Sequence, residues 1–264
     1  MALNVKDGHE RQIAHILEPV EVMEGAGVIV KRAIPSNEVP YEEIDPFLLL
    51  DLFDTSHPSY KGESFPRHPH RGFEIITYLL AGEASHRDDF GNDSAIRGGG
   101  LQKITTGQGI WHEEGPTTGG EEPTIGLQLW INLAQKDKKV APHYQTLEPE
   151  GVPVREMEGA KARVLVGDES PVRLHTPALY LDVTVPSSGT LNHHIPVDYQ
   201  GFVLVLEGRG RFGSNEIDAE GGRFLLLGAG EVLPVKASHG PVRYVLAAGE
   251  PHREPIRWMG PFVD

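Results

Sequence analysis

Short apolar runs separated by turn residues make up most of this chain. Runs rich in β-branched and aromatic residues lie at 27–30, 46–53 and 73–80, and each is bounded by Gly, Pro or Asp. From 125 to 133 apolar residues alternate strictly with Gly126, Gln128, Trp130 and Asn132, the pattern of a strand with one face in a core. Residues 1 to about 24 are mixed and polar. The pattern predicts a mostly β protein whose strands begin after this segment.

The turn framework occurs twice. Residues 78–82 resemble residues 204–208, each an apolar strand that ends in Gly and leads into another strand. At one constant offset, further glycines match between the two halves: Gly100, Gly107 and Gly109 with Gly221, Gly228 and Gly230. Two β-barrel-like halves follow, with a boundary in the Pro- and charge-rich segment 136–158. We place the domains at 1–137 and 138–264.

Two pairs of metal-binding residue types stand out in the first half. His68 and His70 are one residue apart, and so are His112 and Glu114. On an extended strand, residues i and i+2 project to the same side. Three imidazoles and a carboxylate on neighbouring strands suit a divalent transition metal. Glu74, shortly after His70, is a further candidate donor.

The second half provides an internal control on these donors. The positions that match the first-half donors carry mostly apolar residues, and only one keeps a donor: Pro196 for His70, Leu233 for His112, Val235 for Glu114 and His194 for His68. The fold therefore does not need the donors for its stability. This favours a functional role for them.

Composition narrows the function further. The 264 residues include no cysteine, which excludes disulfides, thiolate ligands and cysteine nucleophiles. The formal net charge of −14 disfavours direct nucleic-acid binding and anionic membranes, and the only short basic cluster, 136–139, is interpreted as a solvated loop. No long apolar segment and no secretory signal is present in the sequence. We expect a cytoplasmic protein with no membrane and no direct nucleic-acid partner.

The motif strings resemble one known family. FPRHPHRGFEIITYLLAGEASHRDDFGN (65–92), GIWHEE (109–114), GLQLWINL (126–133) and DPFLLLDLFD (45–54) are similar to the pirin family of two-domain cupins. The resemblance is weaker in the second half, where it rests on the glycines and on GEPHREPIRWMGPFV (249–263). It implies an all-β bicupin, with two jelly-roll-like, double-stranded β-helix barrels in one chain. Only the N-terminal domain, 1–137, would bind metal, and 138–264 would be a degenerate, metal-free cupin.

The same resemblance implies the site and its chemistry. The ligands would be His68, His70, His112 and Glu114, holding one divalent metal, usually Fe(II), with Zn, Mn, Ni, Co and Cu as alternatives. Glu74 would not be a ligand; it and Gln128 become candidate partners for the second ring nitrogen of a ligand histidine. Some pirin-like proteins cleave the flavonol quercetin with dioxygen, related enzymes releasing carbon monoxide. Others are described as transcriptional cofactors or as binding a metabolic enzyme.

Three functional hypotheses remain at this point. The favoured one is a quercetin 2,3-dioxygenase-like enzyme that acts on a small phenolic substrate with dioxygen, with Glu114 both as ligand and as the base for a hydroxyl proton. The alternative is a non-catalytic, redox-sensitive metalloprotein that docks on a protein partner. The third is a metal-free structural cupin. A wide pocket above the metal would count against the second hypothesis.

Several other conspicuous residues have simpler interpretations. His86 lies in a charged segment that we expect to be a turn, where it is solvated or hydrogen-bonded to the neighbouring acids. Gly107 and Gly109 are expected to form a tight turn that aims His112 inward. Structural roles are expected for the rest: His193 and His194, Trp111 and Trp130 as core or pocket wall, and Arg71 as the partner of a nearby acid.

Overall fold

The computed structural model describes residues 9–62, 64–117, 122–157 and 159–264. Apart from one helical turn, α1 (Tyr41–Ile44), and two short 3-10 turns (Gln135–Asp137 and Pro149–Gly151), the regular structure is β, which confirms the predicted all-β class. These helical segments are far too short to traverse a lipid bilayer. The strands are β1 (Ile13–Leu17), β2 (Val20–Glu24), β3 (Val28–Ile34), β4 (Phe47–Asp54), β5 (Phe65–His70), β6 (Phe73–Ala81), β7 (Glu83–Asp88), β8 (Asp93–Arg97), β9 (Leu101–Thr105), β10 (Ile110–Pro116), β11 (Ile125–Asn132), β12 (His143–Leu147), β13 (Val154–Met157), β14 (Ala160–Val166), β15 (Ala178–Val185), β16 (Thr190–His194), β17 (Gln200–Phe212), β18 (Ile217–Glu220), β19 (Phe224–Leu227), β20 (Val232–Gly249), β21 (Trp258–Met259) and β22 (Phe262–Val263).

Two compact units make up the described chain. The N-terminal unit contains residues 19–153, 170–177 and 252–264. Its strands form a seven-stranded antiparallel sheet in the order β12-β9-β6-β11-β4-β3-β2, a four-stranded sheet in the order β5-β10-β7-β8, and the hairpin β21-β22. The core brings together apolar residues of both sheets: Phe73, Ile75, Ile104 and Trp130 of the larger sheet with Ile110 of the smaller one. Burial of these side chains is the main force that closes the unit.

The C-terminal unit contains the described residues up to Glu18, together with 154–169 and 178–251. It is a nine-stranded sheet in which β1-β19-β17-β20-β15-β14-β13 follow one another, with β16 on β20 and β18 on β17. Leu233 and Val235, which match His112 and Glu114 in the repeat, are buried in its apolar core. The same framework positions therefore fill a hydrophobic interior in this unit. The domain limits 1–137 and 138–264 stay a prediction.

The predicted strands at 27–30, 46–53, 73–80 and 125–133 are confirmed as β3, β4, β6 and β11. The start of the β structure was predicted too late, because β1 and β2 already lie within the first 24 residues. β2 is a five-residue edge strand with no fully buried residue, and its alternation ends after Val20, Glu21 and Val22, which is too short to identify a strand. Short edge strands of this kind cannot be predicted from the periodicity of apolar residues.

The interpretation of 136–139 as a solvated loop is wrong for Lys138. This side chain is only 7% exposed, and its ammonium donates hydrogen bonds to the carbonyl oxygens of Gly72 (2.8 Å) and Val263 (3.1 Å) and to Asn132 Oδ1 (2.5 Å). Burial lowers the pKa of Lys138 to about 8. The buried ammonium is stabilised by the three hydrogen bonds that it donates to these acceptors. Lys138 thereby ties β22 to the segment that follows His70.

Candidate metal centre

Two adjacent strands of the four-stranded sheet carry the four predicted ligands. His68 and His70 lie on β5, and His112 and Glu114 lie on β10. The strands are antiparallel, and His112 stands directly opposite His68. The turn before β10 contains Gly109 at φ 136°, a conformation that favours glycine, and the matching Gly230 of the C-terminal unit has φ 139°. The predicted turn before His112 is therefore present, and its last glycine has the same conformation in both halves.

The three histidines point their Nε2 atoms at one another. His68 Nε2 lies 2.9 Å from His70 Nε2 and 3.0 Å from His112 Nε2. His68 Nδ1 lies 2.8 Å from the Pro66 carbonyl oxygen, which can only accept, so Nδ1 carries the proton and Nε2 keeps a lone pair. Burial lowers the pKa of His70 to about 3 and holds the pKa of His112 well below its usual range. His70 and His112 are thus neutral imidazoles, the form that binds metals.

The spacing of these nitrogens fits a single metal ion. Two donors at about 2.1 Å from one ion and at right angles to each other are about 3.0 Å apart. The two measured separations, 2.9 and 3.0 Å, match adjacent positions around such an ion. The ligand atoms of His68, His70 and His112 all lie within 4.8 Å of one another. The residues present could therefore hold a divalent metal.

Glu114 joins this cluster through His112. A register shift follows His112 on the side of β5, and across β7 Glu114 stands opposite His86. The ligand atoms of His86, His112 and Glu114 form a second group within 4.8 Å, so the four predicted ligands come together as two groups that share His112. The carboxylate of Glu114 accepts hydrogen bonds from Gln128 (2.6 Å) and Gln102 (3.1 Å). These bonds fix its orientation beside the histidines.

His86 differs from its predicted turn position. It lies on β7, is 2% exposed, and its Nε2 is 3.1 Å from Asp88 Oδ2, so the expected bond to a neighbouring acid is present but the solvated turn is not. Its ring stacks on Tyr144 with the centroids 4.4 Å apart. Sequence reasoning missed it as part of the site. The two-residue spacing of His86 and Asp88, on the strand that follows Gly82, was the available signal.

Glu74 and Gln128, the two expected partners of the ligand histidines, have other contacts. Glu74 is fully buried, and its carboxylate forms an ion pair with Lys103 (2.7 Å) and accepts from Thr105 Oγ1 (2.8 Å) and the His175 amide (2.9 Å). It belongs to neither group of potential metal donors among the described residues. Gln128 contacts Glu114 instead of a histidine. Glu74 is therefore a structural charge, and Gln128 is a partner of the carboxylate.

A cavity of about 500 Å³ opens beside the cluster. Its lining includes His68, His70, Glu114 and Gln128, with apolar and aromatic walls from Leu49, Phe65, Trp130 and Trp258 and an ion pair of Arg32 with Asp51. Such a volume lies within the range of roughly 300–1,000 Å³ typical of small-molecule sites.

The two tryptophans near the site have different environments. Trp130 is 9% exposed and lines the cavity, so its expected role as core or pocket wall is confirmed. Trp111 was expected to have the same role, and that expectation is wrong, because its ring is 44% exposed with the Arg67 guanidinium 4.9 Å above it. Odd and even positions of β10 face opposite sides of the sheet, so the ring next to His112 must point outward. Arg71 forms an ion pair with Asp264 at 2.8 Å, which confirms its expected role as the partner of an acid.

Known proteins share this arrangement of sequence and fold. Residues 27–131 match the pirin domain, and residues 180–264 match the pirin C-terminal cupin domain. A pirin-like protein of Solanum lycopersicum is 42% identical over 246 residues, which cover 91% of this chain and 82% of the relative. A quercetin 2,3-dioxygenase of Acinetobacter baumannii has a similar structure, with a TM-score of 0.85 and 26% identity over 97% of this chain and 92% of that one.

A more distant structure has the same fold. The bacterial pirin YhhW of Escherichia coli, in complex with nickel(II), has a TM-score of 0.71 and 18% identity, over 90% of this chain and 98% of that one. At this identity the likeness concerns the fold alone. Three findings point to the same family: the resemblance of the motif strings, the two matched domains, and the identity to the Solanum lycopersicum protein. The chain is a two-domain cupin and belongs to the pirin family.

Proposed function

We propose that this protein is a metal-dependent dioxygenase that cleaves quercetin or a similar flavonol, with His68, His70, His112 and Glu114 as the ligands of one Fe(II) ion. The observation that carries the proposal is the convergence of three histidine Nε2 atoms beside a cavity of about 500 Å³. A metal site that only supports a fold is closed by protein ligands, whereas a reactive one leaves positions open to a substrate. The likeness to the Acinetobacter enzyme adds the substrate class.

The cavity walls suit a flat phenolic molecule. Phe65, Trp130 and Trp258 contribute aromatic surface. Aromatic rings pack against such surfaces in stacked or edge-on contacts. The Arg32 guanidinium is engaged by Asp51 at 2.8 and 2.6 Å and by Glu24 at 2.7 Å, and both carboxylates also line the cavity, so Arg32 presents no free positive charge to the ligand. These features favour an aromatic substrate over a strongly anionic one.

Glu114 is proposed as the base for the flavonol hydroxyl proton. It lines the cavity, and its two carboxylate oxygens each retain acceptor capacity beyond the one amide bond they accept. A base must come within about 3 Å of the proton it removes, directly or through one water. A bound divalent ion would supply Lewis acidity for the hydroxyl oxygen and an electron path to dioxygen. The protein's own part is to hold the substrate beside the ion and to accept the proton.

Oxygen uptake by the metal-loaded protein tests the proposal. Protein reloaded with Fe(II), and in parallel with Mn, Co, Ni, Cu or Zn, is mixed with a panel of flavonols while dioxygen and carbon monoxide are measured. We expect one dioxygen consumed and one carbon monoxide released per flavonol. His68→Ala should abolish this turnover, while His194→Ala, its match in the C-terminal unit, should leave it unchanged. No dioxygen consumption with any flavonol and any of these metals would refute the proposal.

The alternative function, a metal-dependent regulatory protein, has one observation in its favour. Trp111 exposes 44% of its surface next to a predicted ligand, and an exposed tryptophan beside an arginine is typical of protein-binding surfaces. The dioxygenase remains the better supported function, because a docking protein has no need of a large cavity at the metal. Failure of every flavonol, together with partner binding that requires the metal and Trp111, would favour the alternative.

A further inference from the structure

The carboxylate of Glu114 is held from two sides by glutamine amides. Gln128 Nε2 donates to Oε1 at 2.6 Å, and Gln102 Nε2 donates to Oε2 at 3.1 Å. The glutamines belong to β11 and β9 of the seven-stranded sheet, whereas Glu114 belongs to β10 of the four-stranded sheet. The two amides therefore fix the carboxylate across the gap between the sheets.

Each amide is oriented in turn by an aromatic donor. A carboxylate oxygen can only accept, so each glutamine must turn its nitrogen towards Glu114 and its oxygen away. The oxygen of Gln128 accepts from Trp130 Nε1 at 3.0 Å, and the oxygen of Gln102 accepts from the Tyr144 hydroxyl at 3.1 Å. We call these four residues, Gln102, Gln128, Trp130 and Tyr144, the carboxylate clamp. Without its aromatic donor, an amide could turn over and present its oxygen to the carboxylate.

The hydrogen bonds on the Tyr144 side of the clamp continue to Ser94. The tyrosine hydroxyl has a single proton, which it gives to Gln102, so it must accept from Ser94 Oγ at 2.5 Å. All donors in the series from Ser94 through Tyr144 and Gln102 point towards Glu114. Hydrogen bonds in such a series polarise one another in the same direction. The tyrosine ring is kept in place by His86, whose ring is stacked on it at an interplanar angle of 13°.

A second, small cavity of about 30 Å³ lies beside the carboxylate and is lined by Glu114, Gln102, Gln128, Thr77 and Phe53. Its lining is largely apolar, so the two amides supply hydrogen bonds that the apolar walls do not offer. The clamp therefore stabilises the carboxylate at this place.

We propose that Tyr144 is a positioning residue that holds the carboxylate of Glu114 in place for the metal, acting through Gln102. This inference rests on the proposed metal site. Tyr144 does not line the large cavity, whereas Trp130, which orients Gln128, does. A change at Tyr144 therefore tests the clamp without altering the substrate-binding wall.

Cupric ion serves as the probe for the experiment. Cu(II) affinity, measured by competition with a chelator, and the Cu(II) electron paramagnetic resonance spectrum are compared for the wild type, Tyr144→Phe, Gln102→Leu and the double variant. Loss of an outer hydrogen-bond partner typically weakens metal binding about 10- to 100-fold. We expect that range for Gln102→Leu, about tenfold for Tyr144→Phe, and altered spectra for both. The double variant should bind no more weakly than Gln102→Leu, since Tyr144 acts through that amide.

Tyr244→Phe is the matched control. Tyr244 is a buried tyrosine of the C-terminal unit, and its hydroxyl lies 2.6 Å from His193 Nε2. This variant should keep the wild-type Cu(II) affinity and spectrum. Both substitutions remove one hydroxyl and keep the aromatic ring, so the ring that stacks on His86 is retained in Tyr144→Phe.

Three results would overturn the inference. These are an unchanged Cu(II) spectrum and affinity in Tyr144→Phe, losses that multiply in the double variant, and an equal change in Tyr244→Phe. The outcome is separable from that of the oxygen-uptake assay. If no flavonol is oxidised but the Cu(II) spectrum responds to Tyr144→Phe as expected, the dioxygenase proposal fails and the positioning role stands.

Discussion

Replacement of Lys103 by methionine should destabilise the N-terminal unit and leave metal binding intact. Lys103 is 3% exposed, and its ammonium lies 2.7 Å from the carboxylate of Glu74, which is fully buried. Methionine keeps most of the side-chain volume but removes the positive charge. Among the described residues, the Thr105 hydroxyl and the His175 amide then remain as donors to the carboxylate. An uncompensated buried charge remains, and this costs far more than the loss of a contact.

The expected magnitude follows from this burial. Removal of one partner from a buried ion pair costs about 3–5 kcal/mol of unfolding free energy. For a protein of this size that corresponds to a fall in Tm of roughly 6–20 °C. The control is Arg97→Met, which breaks an exposed pair with Glu148 whose side chains are 57% and 53% exposed. Exposed pairs contribute about 0–1 kcal/mol, so this variant should be close to the wild type.

Urea unfolding and Cu(II) affinity, measured on the same samples, make the comparison. Lys103→Met should lose stability and keep its affinity, and the double variant Glu74→Gln, Lys103→Met should recover part of the loss. Glu114→Gln should show the opposite pattern, with weakened metal binding and little change in apo-protein stability. The reasoning would be refuted if Lys103→Met cost no more than Arg97→Met, or if Glu74→Gln weakened metal binding as much as Glu114→Gln.

Three further predictions concern other parts of the molecule. His112→Ala should still unfold cooperatively but lose the stabilisation by metal, about 2.7 kcal/mol at a hundredfold excess over Kd, that thermal unfolding of the wild type should show. Burial, with a smaller effect of His194, lowers the pKa of His193 from 6.5 to about 4, so the unfolded state takes up a proton first as the pH falls. Between pH 7 and pH 4 the free energy of unfolding of the wild type should therefore fall by up to about 3 kcal/mol more than that of His193→Gln. Above pH 7 this group should make no pH-dependent contribution. Lys138→Met removes three hydrogen bonds and should speed amide exchange at Val263 roughly 10- to 100-fold, measured by hydrogen–deuterium exchange.

The sequence could predict the strands that are buried on one face and the residues that share a face within a strand. The run from 125 to 133 alternates in the sequence, and it forms β11 with Gln128 and Trp130 in the site. His68 and His70 could be paired by the two-residue period alone, and the repeat showed that the fold does not require His70, His112 or Glu114 at their positions. These inferences need only the local geometry of a strand.

The partners of the carboxylate could not be predicted in this way. Gln102 and Tyr144 lie on β9 and β12 and belong to no recognisable motif. The contact of Gln102 with Glu114, on which the role of Tyr144 depends, is set by how two sheets face each other. No periodicity encodes that distance. The same limit applies to Lys138, whose acceptors include Val263, more than a hundred residues further along the chain. Residues of this kind look like ordinary surface polar residues until the tertiary structure brings their partners together.

The repeat extends to the environment of the carboxylate. Thr77 is buried among the clamp residues, and its hydroxyl lies 3.4 Å from the amide nitrogen of Gln102 and 3.5 Å from that of Gln128. The matching residue of the C-terminal unit is Val203, which is fully buried in the apolar core. The two side chains have nearly the same shape and differ by one hydroxyl. Thr77 thus lies in the unit that contains the predicted metal ligands, whereas Val203 lies in the unit that has Leu233 at the position matching His112.

Exchange of the two side chains, Thr77→Val and Val203→Thr, tests whether the two interiors differ in their tolerance of a hydroxyl group. Thr77→Val removes a hydroxyl whose hydrogen bonds are long, so it should cost about 1 kcal/mol or less and leave Glu114 held by both glutamines. Val203→Thr places a hydroxyl in an apolar core and should cost about 1–3 kcal/mol by urea unfolding. Equal costs would show that both interiors tolerate a hydroxyl alike. The larger cost at Val203 would mean that the C-terminal unit cannot accept polar groups one at a time, so that a metal site there would have to arise together with the donors that satisfy it.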